Sequence, residues 1–295
     1  MAEKDMTEKR LEAWNDVFAD IMNVLLSLDI DPNDLEDTPA RTMYKADGKL
    51  HEQERDIAKL WKKHRVILCL IGLENQTMPD PYMTIRVIGY DGADYRGQLA
   101  ALDKAVREGK KPEQLYPVVT VVLYFGTENR WTGPKTLFET IGVPPELRPY
   151  VNDYKINVIE VAWLTEEQIA KFKSDFRIVA DYFKQIRENK YYVPTEWEIQ
   201  HVDEVLKLMA ALTGEHQFEE VQNRFTQRKE RPTTMVDVFG QAEQRGITKG
   251  IAQGIAQGIA QVAERLLAMG TLSLEQISQA TNLSLTEVKA LRDRK

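Results

Sequence analysis

Cysteine is nearly absent from this chain. Among 295 residues there is one, Cys69, which excludes an intrachain disulfide framework and a thiolate zinc site. Histidine is scarce as well. His51, His64, His201 and His216 stand far apart, without the spacing of metal ligands. Long apolar runs are also missing. The longest, VILCLIGL from Val66 to Leu73, is bounded by His64-Arg65 and Glu74. It is too short to span a bilayer and reads as a buried strand, with Cys69 as packing inside it. The N-terminus, MAEKDMTEKRLEAW, has no apolar stretch of the signal-peptide kind, so the expectation is a cytoplasmic protein with no membrane partner. Positive charge is in deficit too. Lys and Arg total 39 against 46 Asp and Glu, a formal charge of −7. That excludes a protein that holds nucleic acid by a diffuse polycationic surface.

What is present is an ordinary globular composition, 43% apolar and 29% charged, able to bury a core over one large domain or two modest ones. Leu11, Trp14, Val17, Phe18, Ile21 and Leu25 recur at helical spacing. A polar stretch, IDPNDLEDTPARTMYKADG, follows with Pro32, Pro39 and Gly48 as breakers. Strands are expected around Arg55–Leu60, over Val66–Gln76, over Tyr116–Gly126 and over Ile156–Leu164. A helix opens near the prolines of MPDPYMTIRVIGYDGADYRGQLAAL. Thr165 with Gln168 forms a capping box for a helix running to about Glu188, and another helix covers Glu196–Thr213. The fold class is therefore α/β, a central mixed sheet flanked by helices, with a helical C-terminal extension. The expected division is a core over 1–165, a helical connector packed on it over 166–240, and a tail over 241–295.

The tail contains a repeat. In GITKGIAQGIAQGIAQ, Gly246, Gly250, Gly254 and Gly258 recur every four residues beside Ile247, Ile251, Ile255 and Ile259. Two readings stand. A glycine stripe lets a second helix approach closely, giving a homo-oligomer seam. Alternatively the helix cost of glycine, about 1 kcal/mol each, leaves a linker. It is no phosphate loop, lacking the Gly-Lys-Ser/Thr ending. Beyond it, Ser273 with Gln276 and Ser284 with Glu287 are two capping boxes around Asn282, a helical hairpin for protein contact or for DNA.

The chemical signal is a pair of acids. Asp56 in ERDIAKLW and Glu74 at the end of VILCLIGLENQ meet at one sheet edge if their strands are neighbours. Glu74 and Gln76 then share a face, and the Asn75 carbonyl remains available. Two carboxylates, a carbonyl and water make an oxygen-rich site suited to magnesium or manganese. Such an ion can activate water at a phosphodiester.

FADIMN, ERDIAKLW, LIGLENQT, MTIRVIGYDGADYRGQL and YPVVTVVLYFG occur in this order. Together they resemble the Rpn family of recombination-promoting nucleases, also labelled transposases, of the PD-(D/E)XK nuclease superfamily. The likeness covers roughly residues 8–165, and the glycine-isoleucine tail is similar to tails of that family. The resemblance implies a restriction-endonuclease-like core. It implies a magnesium-dependent deoxyribonuclease in DNA recombination or transposition, with DNA as partner and no small-molecule cofactor. Asp56 matches the metal-binding aspartate and Glu74 the second acid, with the Asn75 backbone carbonyl as a further ligand. Gln76 stands where the superfamily has lysine, and Arg55 where it has proline. Glutamine can bond water but supplies no charge. The alternative is a weak or inactive nuclease-fold protein that binds DNA or self-assembles.

Asp20 is a candidate third acid, and Glu54 a helper expected on the strand face of Asp56. Arg86 and Tyr90, four apart on a helix face with Tyr82 a turn earlier, either meet DNA or pack inside. DNA phosphates need local cations. Lys62, Lys63 and Arg65, in the turn between the two strands, are the candidates for binding DNA.

Overall fold

The computed structural model of the chain describes residues 10–46, 49–64, 66–225, 234–240, 258–268 and 270–292. It divides into two compact units, Met1–Thr234 and Met235–Lys295. The first unit is built on a five-stranded mixed sheet, in the order β1 (Leu35–Asp37), β4 (Ile57–Lys63), β5 (Val66–Gln76), β6 (Val118–Tyr124), β7 (Asn157–Glu160). β1, β4 and β5 pair antiparallel; β5, β6 and β7 pair parallel. β5 is apolar along most of its length because both its faces are covered. Helix α1 (Asn15–Leu26) buries Val17, Phe18, Ile21 and Met22. Helix α2 (Met83–Arg107) buries Met83 and Val87 with Val122, Tyr124, Trp131 and Ile156.

A buried lysine fixes the α1 side. Lys59 of β4 is 0% exposed. Its ammonium donates to Asn15 Oδ1 at 2.7 Å, pairs with Asp37 of β1, and lies 5.7 Å from the centre of the Phe18 ring. The charge is thus compensated where it is buried, as an interior cation must be.

Several expected elements differ. The polar stretch after α1 is not a single loop. It carries β1 and then β2 (Arg41–Ala46), which pairs antiparallel with β3 (Lys49–Glu54) in a separate two-stranded sheet. The strand expected from about Arg55 starts at Ile57, so Asp56 sits in a bend just before it, and Glu54 belongs to β3 rather than to the strand of Asp56. The strand after Ile156 ends at Glu160 and passes into a 3-10 turn, Val161–Trp163.

The Thr165–Gln168 capping box is present. The helix it opens, α4 (Glu166–Lys171), stops there, and α5 (Phe176–Asn189) begins afresh. The cause is distant in sequence. Asp20 Oδ2 accepts from the Lys173 and Ser174 amides at 2.8 and 2.7 Å, holding open the amides that a continuous helix would use internally. After α5, helix α6 starts at Val202 rather than Glu196 and is followed by α7 (His216–Phe225). These helices belong to the same compact unit as the sheet. His201 stacks on Trp14 at 4.4 Å between ring centres, and its Nε2 lies 3.0 Å from Asp16.

In the second unit, residues 258–268 are helical, followed by helices Leu274–Thr281 and Leu285–Arg292. Ala263, Ile277 and Val288 form its buried core. Both capping boxes form, and Asn282 takes φ 57° between the last two helices. Of the glycine-isoleucine repeat only its last four residues, 258–261, fall among the described residues. No helix among the described residues is long and apolar enough to cross a membrane.

Candidate active site

The antiparallel register Ile57↔Leu73 sets Asp56 beside Glu74 at the end of the β4–β5 pair. The bend before β4 turns the Asp56 carboxylate back onto β5, where Oδ2 accepts the Asn75 amide at 2.7 Å. Oδ1 is held by the Arg10 guanidinium from the segment before α1. Glu74 lies deeper, its side chain 3% exposed against 23% for Asp56. Arg86 Nη2 donates to Glu74 Oε2 at 3.2 Å, while Oε1 is buried without a partner. Burial pushes the Glu74 carboxyl up to about 7, and the Asp56 charge adds to the rise, against the opposing pull of Arg86 and Tyr90.

Helix α2 supplies the second layer. The fourfold spacing of Arg86 and Tyr90 puts both over the acids. Arg86 donates to Asp80 Oδ2 at 3.0 Å and to the Tyr90 hydroxyl at 3.2 Å. Tyr90 is buried, and its hydroxyl donates a hydrogen bond to the Glu54 carbonyl at 3.0 Å. The tyrosine therefore packs and ties Arg86 to the β3 backbone, and Arg86 is the half-exposed member, paired with acids yet open to solvent. The Gln76 side chain is half-buried, with no hydrogen-bond partner among the described residues. Tyr82 is exposed at the head of α2.

Four residues near the acids were not singled out as site residues by the sequence reading: Arg10, Glu12, Arg55 and Gly72. Glu12 is 0% exposed. Its Oε1 accepts from Asn75 Nδ2 at 2.8 Å, and Oε2 is buried without a partner, as is Asn75 Oδ1. Burial raises the Glu12 carboxyl above its ordinary range, opposed by hydrogen bonds from the backbone and Asn75. Arg55, 2% exposed, pairs with Asp94 at 2.7 Å and Asp91 at 3.4 Å and lies 5.1 Å from the centre of the Tyr90 ring. Asp91 in turn accepts from the Thr120 hydroxyl at 2.6 Å and from Tyr154. This buried network anchors the residue beside Asp56. Gly72 makes room for it, since a Cβ there would stand 2.6 Å from Arg55 Nη1 and 2.7 Å from Cδ. An arginine next to the acid was the available signal for Arg55. Nothing in the local pattern marks Glu12 or Arg10.

Other candidates lie elsewhere. Asp20 clamps the α4–α5 break and lines a different cavity, with Asp16, Asn23 and Lys173. Lys62 and Lys63 lie at the opposite end of the β4–β5 hairpin from Asp56, about 20 Å away at a strand rise of about 3.3 Å per residue. Lys62 pairs with Glu36 there. Arg65 lies outside the described residues. Cys69 is buried in β5, and burial pushes its thiol up to about 11, as expected of packing rather than chemistry.

The family model described as "Putative transposase, YhgA-like" matches residues 49–212, more than half of the chain. The chain belongs to this family. The match runs from β3 into α6 and takes in Asp56, Glu74, Gln76, Arg86 and Tyr90, but neither Arg10 and Glu12 nor the second unit. Membership supports a transposase- or nuclease-like role with DNA as partner. No curated protein and no solved structure matches the chain.

Proposed function

We propose that this protein is a metal-dependent DNA endonuclease that hydrolyses phosphodiester bonds, the cut ends serving recombination or transposition. The observation that carries the reading is the convergence of Asp56 and Glu74 at one sheet edge, under Arg86. Glu74 Oε1 there is buried and left without a partner.

The donor set fits magnesium or manganese. It is all oxygen, and a buried carboxylate oxygen with no hydrogen bond is costly unless something occupies it. Among the described residues no three Asp, Glu, His or Cys side chains stand together as a metal cluster. The protein donors would be Asp56, Glu74 and the Asn75 carbonyl, with water completing the shell. A bound ion would lower the pKa of water and offset charge on the phosphodiester.

The chain's own groups do the rest. The Gln76 amide, uncommitted among the described residues, holds and orients a water. Arg86, half-exposed beside Glu74, meets the phosphate. The Arg55 network keeps Asp56 in register with Glu74.

Plasmid nicking in magnesium tests the proposal. Wild type is expected to nick, and Asp56→Ala and Glu74→Gln to fall to background. Equal rates in all three proteins would sink it. One observation favours a non-catalytic reading: the Arg10 guanidinium occupies Asp56 as a cation would. DNA binding without metal binding by calorimetry would support that alternative.

A further inference from the structure

The three helices of the second unit close on one small core. Ala263, Ile277 and Val288, one from each helix, are 0% exposed, and Leu266, Leu267, Leu274, Leu283 and Leu291 pack against them. The last two helices, Leu274–Thr281 and Leu285–Arg292, are joined by Asn282, Leu283 and Ser284. This short turn is tied at every residue. Asn282 takes the left-handed φ of 57° that ends the first of the two helices. Leu283 packs on the core, and its carbonyl accepts from the Ser278 hydroxyl at 2.7 Å. The Ser284 hydroxyl and amide donate to the Glu287 carboxylate at 2.7 and 2.8 Å. Two short helices, a three-residue turn and a further helix completing the core are the parts of a helix-turn-helix.

The last helix turns a distinct face away from that core. Thr286, Lys289 and Ala290 stand at spacings of three and four on the side opposite Val288, and all three are exposed. Thr286 and Lys289 offer hydrogen-bond donors to base edges, and Ala290 is small enough for close approach or for contact with a thymine methyl. Leu285, 41% exposed, leads the helix. The face has no aromatic ring and centres on a lysine, the reverse of the middle of a protein–protein interface. The acid of this helix, Glu287, is engaged by Ser284. Glu275, at the head of the preceding helix, lies within electrostatic reach of Lys289. The described charges of the three helices balance, Glu264, Glu275 and Glu287 against Arg265, Lys289 and Arg292, so the acidic excess of the chain lies outside them. Arg265 and Arg292 are exposed, as contacts to phosphates require.

We propose that the second unit reads the sequence of duplex DNA. The Leu285–Arg292 helix lies in the major groove with Thr286, Lys289 and Ala290 at the base edges, and the Leu274–Thr281 helix crosses the phosphate backbone. The tied turn matters because a groove-reading helix must be presented at one fixed angle. DNA as the partner accords with the family to which the chain belongs. The inference goes beyond the endonuclease reading and does not depend on it, since it concerns sequence preference and not cleavage.

The experiment uses the full chain in EDTA, where binding is read without cleavage. The probe is a pool of duplexes with a randomised centre, from which the bound fraction is recovered and sequenced. Wild type is expected to enrich one short sequence and, by fluorescence anisotropy, to bind it at least about tenfold more tightly than a scrambled duplex, as a few correct base contacts supply. That ratio is the readout, because a lost phosphate contact weakens binding to every sequence alike. Thr286→Ala and Lys289→Ala, at exposed positions that do not threaten folding, are each expected to lower the ratio severalfold. Ala290→Trp, which blocks close approach without changing charge, is expected to abolish it. No enriched sequence in wild type, or a ratio undiminished in all three variants, overturns the proposal. So does a change of oligomeric mass in these variants with the ratio intact, which would make the face a protein contact. Nicking in magnesium is scored separately: its absence refutes the endonuclease reading and leaves this one standing on the ratio alone.

Discussion

Replacing Glu74 by glutamine should make the protein more stable at pH 8 and leave it nearly unchanged at pH 4.5. In the folded protein without metal, the Glu74 carboxyl is pushed from 4.5 to about 7, chiefly by burial. A carboxyl whose folded value lies above its unfolded value binds its proton more tightly in the native state. It imposes no cost below about 4.5, destabilises progressively as the pH rises to about 7, and imposes its full cost above that. The rise corresponds to about 3 kcal/mol. Its side chain is 3% exposed, so solvent screening removes little of this.

Glutamine keeps the shape and never ionises, and Arg86 keeps Asp80 as a partner. Urea denaturation of both proteins in EDTA, at steps from pH 4.5 to 8, gives the difference in unfolding free energy; every other titrating group cancels to first order. That difference should grow from near zero to about 3 kcal/mol in favour of Glu74→Gln. A flat difference would refute the argument that burial, and not pairing with Arg86, governs this carboxyl. Adding magnesium should then stabilise wild type selectively at pH 8, because the variant has lost a ligand.

Arg10→Ala frees Asp56 Oδ1 from its guanidinium. Manganese affinity by calorimetry should rise by roughly fivefold, the worth of a half-exposed ion pair of about 1 kcal/mol; unchanged affinity would remove Arg10 from the metal argument. Gly72→Ala pushes a methyl group onto the buried Arg55 side chain at 2.6 Å and should cost about 1–3 kcal/mol in urea denaturation, whereas an unaltered midpoint would contradict the crossing of Arg55 over Gly72. Ile277→Ala, in the small core with Ala263 and Val288, should cost about 2–5 kcal/mol. Urea denaturation checks this, and an unchanged midpoint would contradict the packing of Ile277 on Ala263 and Val288.

The parts that could be read from the sequence are those whose causes are local. β5 is built on the apolar run Val66–Leu73 and ends at the expected residue, Gln76, and the boxes at Thr165, Ser273 and Ser284 each need only a side chain three residues away. The β2–β3 hairpin had a local signal, the Asp47-Gly48 pair between its strands, a favoured hairpin composition. The helix expected from Thr165 to Glu188 could not be divided by local reasoning, because the break is held by Asp20, 153 residues from Lys173 in the chain.

The site follows the same division. Asp56 and Glu74 could be paired in advance because their strands are consecutive, and Arg86 and Tyr90 because helical spacing puts them on one face. Glu12 reaches Asn75 across 63 residues and Arg10 reaches Asp56 across 46, so no window of sequence contains either contact. The sequence by itself determined the α/β class and the longer elements, set by periodicity and short-range bonding, and offered Asp56 and Glu74 as candidate acids. Only the tertiary structure decided that Glu74 would be buried and raised to about 7, and that Asp20 would clamp a helix break instead of joining the acids. Those depend on which distant side chains desolvate or satisfy a group, and desolvation is a property of the packed molecule.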